Sequence, residues 1–166
     1  NKRPDLSGAQ ELVFDVSGVS QLIVSVSDDV QVGTNPDNSP IYRSVNILFT
    51  GITATNKFIH ITHALLRAAL ADFHTDKITS VSFIVDPRTL PVTGGTVTVR
   101  TLNTIFVPTA NANGTGPVTN LTDFPTAPGE LDPQNIISNF TQTSANQFSF
   151  TYANPSPDKF GGAILV

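Results

Sequence analysis

Gln21-Leu22-Ile23-Val24-Ser25-Val26-Ser27 places Leu22, Val24 and Val26 in one register and Ile23, Ser25 and Ser27 in the other. Successive side chains on a strand point to opposite faces, so this period of two marks a strand with one face in a core. The same alternation recurs along the chain. Leu12, Phe14 and Val16 alternate with Val13 and Asp15, Val45, Ile47 and Phe49 with Asn46 and Leu48, and Val81, Phe83 and Val85 with Ser82 and Ile84. Val97, Val99 and Thr101 follow, and Phe148, Phe150 and Tyr152 come near the end. Roughly eight or nine short strands separated by Pro, Gly and Asn clusters predict a sandwich or barrel.

The breaks between strands carry turn chemistry. Gly94-Gly95, flanked by Val92-Thr93 and Thr96-Val97, predicts a two-residue hairpin turn. Residues 33–40, with Pro36 and Pro40, predict a long turn or loop in which the ladder cannot continue, because proline withholds a ladder donor. The largest irregular stretch runs from Pro108 to Pro133 and reads as a functional excursion or a covering arm. One segment has helical spacing: Leu65, Leu66, Ala69, Leu70 and Phe73 share a face, Ala64, Ala68, Ala69 and Ala71 favour helix, and Thr62 is placed as its N-cap. The expected fold is all-β, a two-sheet β-sandwich of jelly-roll-like topology with one short α-helix around residues 63–73. Residues 1–166 are expected to form a single domain.

Only 13% of the 166 residues are charged, about half the usual share of a soluble domain. Charge keeps a surface soluble and solitary, so a chain this poor in it is expected to have its surface covered by copies of itself, a partner or glycans. The net charge of −4 and nine scattered Lys and Arg residues exclude nucleic acid as a main partner, since no basic stripe exists to neutralise phosphates. No apolar run reaches the length of a membrane span. With no Cys, a disulfide framework and thiolate metal sites are excluded. The chain opens at Asn1-Lys2-Arg3-Pro4 without an initiator Met, which predicts a processed, exported chain.

Motifs for chemistry are sparse. His60 and His63 alternate across a strand-like stretch, and His63 and His74 fall at opposite ends of the helical segment, so the three histidines predict no metal site. Asp28, Asp29 and Asp37, with Asn35 or Asn38, supply oxygen ligands suited to calcium, although Asp and Asn are also ordinary turn residues. No Gly-x-Ser-x-Gly elbow or phosphate-binding glycine loop is present, and Glu11 and Glu130 are the only glutamates. No enzyme, no cofactor and no metal centre are expected. The eleven Phe residues, with no Trp and two Tyr, point to a core rather than a sugar platform.

Asn113, Asn120 and Asn139 open Asn-x-Thr sequons and are candidate glycosylation sites. The chain ends in Gly161-Gly162-Ala163-Ile164-Leu165-Val166, a hinge-like pair and an apolar tip that should pair as a strand. Leu12, Phe14 and Val16 near one end, and Ile164, Leu165 and Val166 at the other, are the candidate assembly strands, because open sheet edges accept added strands. Together these features predict a non-catalytic structural subunit of an extracellular or cell-surface assembly (a filament, sheath or coat, virion coats included), whose partner is a further copy of itself. The alternative reading is a secreted module that binds a glycan or another surface ligand, with calcium held by Asp28, Asp29 and Asp37.

Overall fold

The computed structural model describes residues 11–52, 57–86, 95–105, 120–121, 128–152 and 160–165. Their order is β1 (Glu11–Ser17), β2 (Gln21–Thr34), β3 (Pro40–Thr50), β4 (Lys57–Thr62), α1 (His63–Ala69), β5 (Ser80–Val85), β6 (Gly95–Ile105), β7 (Asn120–Leu121), β8 (Gly129–Leu131), β9 (Ile137–Ser144), β10 (Gln147–Tyr152) and β11 (Gly161–Leu165). One sheet has the order β4-β1-β6-β10-β9, with β7 beside the end of β6, and the other β3-β2-β5-β11-β8. All their pairings are antiparallel. The molecule is a two-sheet β-sandwich with one short helix. We call the first sheet A and the second sheet B.

The period-two residues build the core between the sheets. Leu12, Phe14, Val16, Val97, Val99, Phe148 and Phe150 face inward from sheet A, and Leu22, Val24, Val26, Val81, Phe83 and Val85 from sheet B. Phe83 wedges between the sheets, edge-on to Phe14 at a 4.8 Å centroid distance and to Phe148 at 5.7 Å. This edge-to-face packing adds to the area-dependent gain of burial and fixes how the two sheets align.

Three local expectations change. The helix ends at Ala69, and Leu70 is already extended. Thr62 does cap it, its Oγ accepting from the Leu65 N–H at 3.0 Å, but Leu66 is its one buried residue and Ala69 is exposed. The chain is drawn out of helix because the backbone at Asp72 and His74 bonds to side chains of sheet B, described below. Residues 33–40 do hold a turn, but the ladder runs further into it than expected: Gly33 pairs with Ile41 and Thr34 with Pro40, so the turn is confined to 35–39. Pro40 is tolerated because β3 lies at the margin of its sheet. Gly161 and Gly162 are strand residues, not a hinge. A Cβ at Gly162 would stand 1.7 Å from the Phe83 carbonyl oxygen, and one at Gly161 2.7 Å from Ile137, so close strand approach selects glycine there. Gly94 lies outside the described residues, and Gly95 opens β6, whose neighbours are β1 and β10.

Candidate assembly surfaces

The acidic residues singled out for calcium are engaged by protein groups. The Asp28 carboxylate, 0% exposed, receives Arg43 through Nε at 3.1 Å and through Nη2. It also accepts the backbone N–H of His74 at 3.0 Å and of Val30 at 3.1 Å. Burial alone would push this carboxyl up, but the Arg43 hydrogen bonds, the two N–H groups and the Arg43 charge outweigh it and hold it below its ordinary value. Arg43 continues to Asp72, donating to its carboxylate and to its carbonyl, both at 2.9 Å. Asp29 lies 2.7 Å from His74 Nδ1 and 3.3 Å from Lys77 Nζ; the His74 hydrogen bond is the main cause that lowers its pKa. Asp37 caps the β2–β3 turn, accepting from the Ser39 N–H at 3.0 Å and Oγ at 2.6 Å.

This is a latch, in which β2 and β3 clamp the segment that leaves the helix. Arg43 and Lys77 already supply the positive charge that a cation would bring, and Asp37 is not gathered with Asp28 and Asp29. Among the described residues no group of three or more His, Asp or Glu side chains could hold a metal ion. Of the histidines, His60 lies exposed on β4, His63 opens the helix, and His74 belongs to the latch. The Asp28–Arg43 pair is not visible in the sequence pattern. Its one signal is that Arg43 is the sole charge in β3.

Among the described residues, β1 and β11 each lie between two other strands. β1 lies between β4 and β6, with Leu12, Phe14 and Val16 in the core. β11 lies between β5 and β8; Ile164 sits opposite Ser82 and Gly129, and Leu165 opposite Val81. Val166 and Asn113 lie outside the described residues. Asn120 opens β7, and Asn139 is exposed on β9 in a left-handed conformation, φ 53°.

The margins among the described residues are β4 and β9 in sheet A, and β3 and β8 in sheet B. β9 is interrupted by register shifts, and β8 spans only 3 residues. On β4, Lys57 reaches across to the Thr50 carbonyl. β3 differs: from Ser44 to Thr50 it pairs with β2 without a break, and it carries no charge or proline there. Natural sheets blunt an edge with charge, proline, bulges or shortness, and this stretch has none of them.

The outer faces differ as well. Across sheet B, Leu48, Ile23, Ile84, Gly162 and Leu131 stand opposite one another over all five strands. The next row is Asn46, Ser25, Ser82, Ile164 and Gly129, followed by Ser44, Ser27 and Ser80. None of these positions is charged, and most are small. The matching row of sheet A runs Phe58, Asp15, Arg100, Gln147 and Ser144. There Asp15, 5% exposed, accepts from Arg100 at 2.9 Å. Compared with known proteins, the chain matches no family model, no curated protein and no solved structure.

Proposed function

We propose that the chain is a non-catalytic structural subunit of an extracellular or surface assembly, built by packing copies of itself through sheet B. The observation that carries this reading is the uncharged outer face of that sheet, which spans five strands. Covering Ser, Gly, Ile and Leu removes no ion from water, so the desolvation cost that a charged face imposes on association is absent. Small side chains also let a second sheet approach to the usual spacing of about 10 Å. Strands about 4.8 Å apart, rising about 3.4 Å per residue and narrowing from the long β2 and β3 to a β8 of 3 residues, give roughly 450 Å² per copy. This is about half of the roughly 800 Å² per partner of a stable interface, so the contact belongs to the weak, reversible class and a regular assembly needs several of them. The charge-poor composition fits the same purpose. The non-catalytic part rests on the sequence, which carries no nucleophile elbow and no phosphate-binding glycine loop.

Negative-stain microscopy and light scattering of the whole chain over a concentration series test this reading. The expected result is reversible oligomers that grow into regular assemblies. Monomers persisting at millimolar concentration would overturn it.

A further inference from the structure

We infer that the edge of β3 between Ser44 and Thr50 pairs antiparallel with the same edge of a second copy about a two-fold axis at Ile47, an inference that rests on the self-association proposed above. Three observations converge on this strand. It is the one long margin whose described residues carry no charge, proline or register break over seven positions. Its inward row is incompletely covered: Ile47 and Phe49 pack against the core but remain only partly buried. Leu48, on the opposite face, is 49% exposed. A further strand would cover these side chains and satisfy the outward-pointing backbone groups of β3.

The occupant follows from the sequence of the edge itself. A two-fold contact places one patch against its own copy, so the patch must be self-complementary. With Ile47 on the axis, Val45 faces Phe49 of the second copy, Asn46 faces Leu48, and Ser44 faces Thr50. The inward row is then apolar throughout, and the outward row sets no like charges against each other. The charges at the two ends of the strand are already engaged, Arg43 with Asp28 and Asp72 and Lys57 at the Thr50 carbonyl. The two copies of sheet B join into one sheet, and their uncharged outer faces become continuous. Seven paired residues extend about 24 Å, so this contact alone is smaller than a standard interface and belongs to the weak, reversible class.

The register gives a charge-exchange test on exposed positions. In Asn46→Lys/Leu48→Lys, the lysine at position 46 of each copy faces the lysine at position 48 of the other, and like charges directly opposite destabilise strand pairing. Sedimentation equilibrium should show dissociation at least tenfold easier than for the natural chain, with the thermal midpoint unchanged. In Asn46→Glu/Leu48→Lys a glutamate at position 46 faces a lysine at position 48 instead. Both variants place two charges on the outer face, so the difference between them reads the edge alone, and association should be about tenfold tighter than in the double-lysine variant. As a second measurement, Ile47→Cys, in a chain with no other Cys, should form a disulfide-linked dimer under mild oxidation, because residue 47 meets itself. Equal weakening by both double variants, or by neither, would overturn the β3 pairing while leaving self-association standing. A natural chain that never associates would overturn both.

Discussion

The outer rows of the two sheets have the same length and the same strand geometry, and they solve different problems. In sheet A the row Phe58-Asp15-Arg100-Gln147-Ser144 sets an ion pair on its inner strands, with Asp15 nearly buried and Arg100 within 2.9 Å. In sheet B the corresponding row, Leu48-Ile23-Ile84-Gly162-Leu131, has no charge. Covering the first face would strip water from Arg100, while covering the second strips water only from Ser, Asn and aliphatic groups. The edges repeat the contrast: β9 is broken by register shifts, whereas β3 runs unbroken from Ser44 to Thr50. Among the described residues, the sheet A row carries an ion pair and the three outward rows of sheet B carry no charge.

Phe83→Ala breaks the comparison at its base, because that ring holds both sheets in place. It should cost about 4 kcal/mol, and a thermal melt should show the midpoint falling by roughly 10 °C. Asp28→Asn comes next. It removes one partner of the buried pair with Arg43 and should cost about 2 to 3 kcal/mol. Faster hydrogen exchange in the segment 70–79 would locate the loss, and unaltered protection there would show that the latch does not hold it. Ser25→Arg, within the sheet B face, should leave stability within about 0.5 kcal/mol and weaken association about tenfold. Ser149→Arg is the matched change on sheet A, and its association should stay within about twofold. If the two arginine variants weaken association equally, the contrast between the faces has no functional meaning.

Acid gives the smallest effect. The pKa values of Asp28 and Asp29 are lowered in the folded chain. Their contribution is therefore present above the ordinary carboxylate pKa of about 3.9 and is lost as pH falls through the lower folded values. Between about pH 5 and 7 these two groups should leave stability flat, and the latch should open only below about pH 4. An acid transition of the segment 70–79 that is unchanged in Asp28→Asn would contradict that assignment.

The sandwich was legible because its inward positions repeat: Val24, Val26, Phe83, Val97 and Phe150 each stand where period two puts them. What the sequence hid depends on contacts between distant strands. Asp28 looks like a turn residue until Arg43 is brought beside it. Residues 70–73 look helical until His74 and Asp72 are bonded to sheet B. Leu12, Phe14 and Val16 read as a terminal strand able to pair in its own sheet or a neighbour's, because neighbours are not visible in a single strand; the structure sets it between β4 and β6. The sheet B face had one local trace, serines alternating with core residues at Ser25, Ser27, Ser80 and Ser82. Only the strand register shows that they form one surface.

The central claim, that sheet B is the face meant to be covered, is tested most directly by sedimentation equilibrium of the natural chain at about 0.05 M and about 0.5 M salt. Screening over this range weakens exposed charge contacts strongly and uncharged ones little. The expected result is reversible self-association whose strength holds or rises at the higher salt. Association that dissolves with salt, or a monomer under both conditions, would contradict the account.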